Sequence, residues 1–486
     1  MFKSFAFRIF LVALVLRLIP VILARGMGIG LDDMFQYDML ARSLAQGNGF
    51  RWYAQADLNQ LASFVDFDLT SVEDYDPRLG IRTSFRAPLY PAFLAVVYFF
   101  NGMDFSRFFA ARVAQAVFLG APLAPLTYLV AKRLFPKEKG GRRKEKAARI
   151  SAWIVACYPM LLVYPLGLGT ENPFFVLLLA SFLYLLLIKE KPAKINFLLS
   201  GLFLGLTALT RSVILPFAGL AVLWAWFSLK QKRGALLLAA VLTLTITPWM
   251  VRNSLLHNKL TTIETSMGYN LYLGYHPQGN GSFVFGPSLD LLPILDDAER
   301  DRVGTQQALA FIKAQPERFV PLALNRLGYF FGLEKRVLMY FYSNDIIGFV
   351  PLPLLLTIAA ILLLPFVIIS TSAALGLSLL RREPEHILLG LLCLSYILPH
   401  VFILSEDRFH LALVPYIAIL AAQFWVRGRE AMSVRWGESK FGRLVVLISV
   451  LAAVYLLSNW GLELVRDWDK IAQLLGPDGN QAYFSY

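Results

Sequence analysis

The feature that most constrains this chain is the recurrence of apolar runs long enough to cross a lipid bilayer, separated by short segments carrying Lys and Arg. A hydrocarbon core of about 30 Å takes roughly 20 helical residues, and within it every backbone N–H and C=O must find its partner inside the protein. Such runs fall at residues 9–24, 108–131, 150–167, 174–188, 197–209, 213–229, 235–250, 346–380, 387–404, 411–426 and 444–460. The expected fold class is therefore an all-α polytopic membrane protein with about 11 transmembrane helices. The first run carries Arg17 and no small-residue cleavage site, so it reads as an uncleaved span and not as a signal peptide. With 57% hydrophobic residues and 16% charged, a soluble fold is excluded.

Charge then fixes the expected orientation. A net charge of +13 would indicate a nucleic-acid partner in a soluble chain, but here the basic residues lie between spans, where they set topology. No nucleic acid is expected, and the partner these runs require is the lipid bilayer. Lys3 and Arg8 precede the first span, and Lys132, Arg133, Lys137, Lys139 and Arg142 to Arg149 follow the second, which places both segments in the cytoplasm. For this parity to hold, the apolar segment 89–100 must dip or lie flat without crossing. Residues 38–47 have helical spacing and a glycine stop, so the first outer loop should hold an amphipathic helix along the interface. The expected organisation is a transmembrane unit, 1–460, whose outer loops 25–107 and 251–345 cover a site, followed by a short outer tail, 461–486. Cys157 and Cys393 lie within apolar runs and suggest no disulfide, and His257, His276 and His400 show no ligand spacing.

The same bookkeeping brings Asp32, Asp33, Arg86, Glu171, Arg211, Arg252 and Glu406 to Arg408 to one outer membrane face. Ionisable residues are costly there, so their convergence is a functional signal. Acids, arginines and a lipid-facing cleft outside the cell, where nucleoside triphosphates are not available, fit a sugar carried on a polyprenyl phosphate. An acid takes the proton of an acceptor hydroxyl, and arginines hold the phosphate leaving group.

Motifs along the chain sharpen this reading: Asp33 with Tyr37, Arg86-Ala87-Pro88-Leu89-Tyr90-Pro91, Thr170-Glu171, Leu209-Thr210-Arg211, Pro248-Trp249-Met250-Val251-Arg252-Asn253, Gly268-Tyr269-Asn270-Leu271-Tyr272-Leu273-Gly274, and Asp407-Arg408-Phe409-His410. In this order the chain resembles the GT-C superfamily of membrane glycosyltransferases. The likeness is to bacterial relatives of the dolichyl-phosphate-mannose protein mannosyltransferases and to the lipid A aminoarabinose transferases. The resemblance implies a GT-C fold and a multi-pass enzyme of the cell envelope, in the bacterial inner (cytoplasmic) membrane, with its site on the periplasmic or extracellular side. It implies an inverting hexosyl- or pentosyltransferase, mannosyltransferase-like, that moves a sugar from a polyprenyl-phosphate-linked donor to a lipid, glycan or protein acceptor.

Carried onto this sequence, the resemblance makes Asp33 the general base, with Asp32 and Glu171 as further acids. Arg86, Arg211, Arg252 and Arg408 would bind the donor phosphate. Tyr37, Tyr90, Asn253, Tyr269, Asn270, Tyr272, Glu406 and His410 would line the substrate. A divalent cation, Mg²⁺ or Mn²⁺, would sit on Asp33 and Glu171 if one is used. His410 stands where the family more often has Arg, and the Asp32-Asp33 doublet leaves the base open by one position. Plainer roles stand beside these. Asp32, Asp33 and Glu171 also suit helix caps, the arginines suit snorkelling anchors, and the tyrosines suit an interfacial belt. The alternatives in function are a lipid-linked glycan polymerase or ligase, and a non-catalytic lipid or glycan transporter.

Overall fold

The computed structural model describes residues 4–67, 69, 72, 75–135 and 142–482. Lys3, Lys137 and Lys139, used above to orient the chain, lie outside the described residues, as do the last four residues of the tail.

Among the described residues, eight helices are long and apolar enough to cross a membrane: Phe5–Leu23, Ser106–Leu134, Glu171–Glu190, Lys232–His257, Leu352–Leu379, Pro384–Phe402, Phe409–Glu438 and Lys440–Arg466. A ninth span is bent, Arg142–Cys157 and Pro159–Leu166 meeting at 52°. The two remaining runs form the shorter helices Lys194–Ala208 and Ser212–Phe227. At 1.5 Å per residue the first of these reaches only roughly 22 Å, because Lys194 and Arg211 bound its apolar stretch. All eleven runs are thus helical, but two are too short for a straight full crossing. The run at 346–380 begins its helix only at Leu352, after Pro351. Leu89–Asn101 is a short apolar helix, as expected of a segment that does not span.

The bend has a specific cause. Pro159 has no N–H, so the carbonyl of Val155 four residues back loses its helical donor. Arg17, fully buried in the first span, donates instead to Val155 O at 3.0 Å and Ala156 O at 3.3 Å, and also to Ala13 O in its own helix at 3.2 Å. The charge that looked out of place in the first apolar run is the donor that a proline break in another span requires.

Two helices form the centre of the bundle: 83% of the apolar window of Glu171–Glu190 is buried and 78% of that of Phe409–Glu438, against 17% for Lys232–His257. Both central helices start at the same end, with Glu171 opening one and Arg408 immediately preceding the other. The opposite end carries the basic loops, where Lys189 pairs with Glu385, Arg133 with Glu190 and Arg381 with Glu438.

Over the Glu171 and Arg408 end lie the two large loops. The first holds the helix Asp33–Ala45, which starts five residues earlier than the glycine-stopped pattern suggested and does not lie free along the interface. Its residues Phe35, Tyr37, Met39, Leu40 and Ala41 are buried. Asp38 is buried as well, its charge met by Arg42 at 2.8 Å, Arg107 at 2.8 Å and Tyr98 Oη at 3.0 Å, and this pins the helix onto Leu89–Asn101. Two short antiparallel strands, Arg51–Trp52 and Ile81–Arg82, close the loop. In the second loop, Met267–Tyr275 packs on Asp297–Ala314 at Gly268, where a Cβ would stand 1.9 Å from Asp301 O. Only glycine permits that approach.

If Arg17 supplies the donors that Pro159 removes, Arg17→Met should lower stability by about 2 kcal/mol, because buried carbonyls are left unpaired. Thermal unfolding of the detergent-solubilised protein reads this directly. A variant as stable as the wild type would show that these carbonyls find other donors.

Candidate active site

The N-terminal ends of the central helices, the helix of the first loop and the segment 331–336 converge on an alternating network of carboxylates and guanidiniums. Asp32 caps the helix Asp33–Ala45, its Oδ1 accepting from Met34 N at 2.8 Å. The cap leaves Asp33, the first helical residue, pointing inward. Arg86 reaches it from the Arg-Ala-Pro turn, pairing with Asp33 Oδ1 and donating through Nε to Gln36 Oε1 at 2.8 Å, one helical turn on. The Arg86 guanidinium lies 5.3 Å from the centre of the buried Tyr37 ring.

Arg408 is the hub. Its Nη2 stands 3.3 Å from Asp33 Oδ2, and its Nε stands 3.1 Å from Glu406 Oε2 and 3.7 Å from Glu171 Oε1. Glu171 is in turn held by Arg211 at 2.7 Å. Its carboxylate folds back over Gly169, where a Cβ would lie 2.8 Å from Oε2. Glu406 is bridged by Arg336 at 2.7 Å, and Arg336 also holds Asp407 at 3.1 Å. Arg86, Arg211, Arg336 and Arg408 thus face Asp33, Glu171, Glu406 and Asp407, charge for charge.

Burial alone disfavours the ionised form of Asp33, but the charges of Arg86 and Arg408 outweigh it and hold the carboxyl down at about 2. The neighbouring Asp32 moves the other way, raised by burial and then by the negative charge of Asp33. The two adjacent acids are therefore pushed in opposite directions. The Asp33 side chain keeps 36% of its surface open, against 6% for Glu171 and 5% for Glu406. Among the four acids of the network Asp33 is the most open to a solute, Asp407 following at 18%.

The residues expected from sequence divide into two groups. Asp33, Arg86, Glu171, Arg211, Arg408 and Glu406 are brought together, with Tyr37 beneath Arg86. Tyr269 lies near, edge-on to Phe85 at 5.6 Å, but donates its hydroxyl to Ser288 O at 2.9 Å, and Asn270 sits half-buried beside it. Tyr90 is buried, its hydroxyl donating to Gln115 Oε1 at 2.6 Å.

Arg252, Asn253, Tyr272 and His410 also lie outside the network. Arg252 donates to Thr83 O at 2.5 Å and stacks 4.9 Å from the Trp249 ring. Asn253 is buried and ties Thr262 O and Ile263 O at 2.9 and 3.0 Å. Tyr272 donates to Asp290 at 2.7 Å. His410 is fully buried between Phe330 O at 2.7 Å and Glu334 Oε1 at 2.9 Å, stacked 4.2 Å from Phe366. These side chains are held by protein partners and take no part in the network. Sequence reading missed Arg336, Gln36 and Glu334. The only signal for Arg336 was a basic residue in an outer segment, beside Lys335.

A divalent cation does not suit this donor set. Both oxygens of Asp33 face guanidiniums, Oδ1 that of Arg86 and Oδ2 that of Arg408, and Glu171 Oε1 faces both Arg211 and Arg408. A cation between the two acids would displace these bonds and stand beside three positive charges.

No protein-family model matches the chain, and no curated protein matches it. Among solved structures it is similar to the archaeal oligosaccharyltransferase AglB from Archaeoglobus fulgidus, in complex with an inhibitory peptide and a dolichol-phosphate. The identity is 15% and the TM-score 0.47, over 100% of this chain and 61% of that one. It is similar also to ArnT from Cupriavidus metallidurans bound to undecaprenyl phosphate, at 13% identity and a TM-score of 0.39, over 87% of this chain and 79% of that one. The apo state of the same ArnT gives 14% and 0.39, over 89% and 80%.

Since the Asp33 carboxyl is held low, its ion pairs add stability above the ordinary carboxylate range, and this is lost as pH falls toward 2. Arg408→Ala should remove of order 3 kcal/mol at pH 7, where it strands carboxylates among protein groups. The deficit should shrink toward pH 4, where an Asp33 freed from Arg408 begins to take up a proton, whereas Arg252→Ala should leave the pH dependence as in the wild type. Thermal melts across pH 4–7 measure this, and an Arg408→Ala deficit independent of pH would refute the hub.

Proposed function

We propose that the chain is a membrane glycosyltransferase of GT-C type that moves a sugar from a polyprenyl monophosphate to an acceptor hydroxyl, with inversion. One observation carries this reading: the carboxylate of Asp33, the most open acid of the network, is clamped between two guanidiniums where the central helices begin. The basic loops gather at the far end of the bundle, which supports placing this end on the periplasmic or extracellular side of a bacterial inner membrane.

In the reaction, the acceptor oxygen attacks the anomeric carbon and its proton passes to Asp33. The bond from the anomeric carbon to the phosphate oxygen breaks, and the electron pair leaves with the polyprenyl phosphate. At about 2 the free Asp33 is a weak base, so the donor must change its surroundings. Arg86 and Arg408 bind the phosphate by turning from the carboxylate to it, and Asp33, with less positive charge around it, becomes basic enough to accept the proton. Arg211 keeps Glu171 in place beside Arg408, and Arg336 does the same for Glu406. Positive charge on the phosphate comes from arginine, with no step assigned to Mg²⁺ or Mn²⁺. The sugar is a hexose or pentose, and the acceptor is a lipid, a glycan or a protein.

The test is transfer from labelled polyprenyl-phosphate sugars by the purified protein in nanodiscs. Asp33→Asn should lower turnover at least about 100-fold, the usual scale of a lost general base. It should bind polyprenyl phosphate more tightly than the wild type, because the competing carboxylate is gone. Asp32→Asn should keep most activity, since Asn caps a helix as well as Asp. Chelation should leave the rate unchanged. Full activity of Asp33→Asn, or loss on chelation restored by Mg²⁺, would sink the mechanism.

A further inference from the structure

A second anion-reading surface lies outside the Asp33 network. A groove of about 820 Å³ runs between the strands of the first loop and the outer end of Lys232–His257, a helix whose apolar window is only 17% buried. Three arginines line it: Arg51 and Arg82 from the paired strands, and Arg252 from the helix. Among the described residues no carboxylate lines it. The nearest acid sensed by Arg252 is Asp297, whose Oδ2 is taken by Thr83 Oγ1 at 2.6 Å and Ser84 N at 2.7 Å. Arg252 and Arg51 are oriented by backbone carbonyls, Thr83 O at 2.5 Å and Gly80 O at 2.9 Å. Arg82 is exposed and makes no ion pair with a described residue. Segment 83–86 divides this groove from the catalytic network, since Arg252 holds Thr83 while Arg86, three residues on, holds Asp33.

Apart from Asn48, the other side chains of the groove wall are apolar. Val251 and Leu255 stand on the helix at 50% and 74% exposure, and Leu244, two turns back on the same face, is 72% exposed. A free anion would need the arginines and would gain nothing from this wall. We propose that the groove binds an anionic membrane lipid, its phosphate among Arg51, Arg82 and Arg252 and an acyl chain along the Leu244–Val251–Leu255 face. Guanidiniums match phosphate oxygens in geometry, and basic residues at the bilayer surface attract anionic head groups. The site is independent of the transferase reading, because it uses no member of the Asp33 network.

The experiment uses the full chain in phosphatidylcholine nanodiscs containing a photoactivatable phosphatidylglycerol or, separately, a photoactivatable phosphatidylcholine, with crosslinks mapped by peptide mass spectrometry. The phosphatidylglycerol probe should label residues 248–256 several-fold more than the choline probe. Arg82→Gln should reduce that labelling about fivefold, the value of one positive charge at a membrane surface. Arg82→Lys should retain it, and labelling at the basic residues 142–149 should not change in either variant. Equal labelling at 248–256 by both probes in the wild type would overturn the proposal, as would labelling indifferent to Arg82→Gln with Arg51→Gln. Loss of labelling on adding inorganic phosphate would overturn it too, by making the occupant a free anion.

Discussion

The structure turns on one guanidinium. Arg408 stands at the start of one of the two most buried helices, within ion-pair distance of Asp33 and Glu406 and 3.7 Å from Glu171, which opens the other. Three carboxylates so close would repel one another in a poorly solvated place. Arg408, with Arg86, Arg211 and Arg336 outside it, offsets that repulsion and fixes them in place. The register of the central helices, the seat of the first-loop helix and the position of segment 331–336 are all tied to that arrangement.

Much of this could be read from sequence because it is local. Asp33, Arg86, Glu171, Arg211 and Arg408 each sit within a few residues of the end of an apolar run, so orientation alone sent them to one face. Pairing among them follows from charge. What could not be read is which polar residues the backbone holds away from the network. Arg252 and Asn253 look like site residues by position, yet the end of a helix and the loops packed on it supply carbonyls that need donors, and these two satisfy them. His410 follows a reactive-looking Asp-Arg pair, but the turn after Arg408 rotates it into the core, against Glu334. Arg336 was hidden for the opposite reason: no periodicity marks the segment 331–336, and only tertiary packing brings it to Glu406.

Proline and arginine explain each other in the bundle as acids and arginines do in the site. The break at Pro159 would leave carbonyls open in an apolar medium, and Arg17 closes them from another helix. A sequence reader sees a charge in a span and a proline between two runs, 142 residues apart, with nothing local to link them. The length of the bent span and the tolerance of Arg17 in hydrocarbon are one fact.

The two arginine surfaces differ in a way that bears on chemistry. The groove with Arg51, Arg82 and Arg252 has positive charge with no lining acid among the described residues, so it suits an anion that binds and stays unchanged. The Asp33 network is balanced, four guanidiniums against four carboxylates, and an anion enters it only by exchange. In the proposed reaction this balance is useful. The donor phosphate carries one negative charge while joined to the sugar and gains a second as the bond breaks, at the moment when Asp33 loses its own charge to the incoming proton. Arg86 and Arg408 lie between the two, so the total charge they face hardly changes while its location does. Donors already fixed around a charge that moves need little reorganisation, and they favour the transition state over the bound substrate. A site with the arginines alone would hold the product phosphate too well. The carboxylate that clamps them at rest also displaces the product when it is deprotonated again.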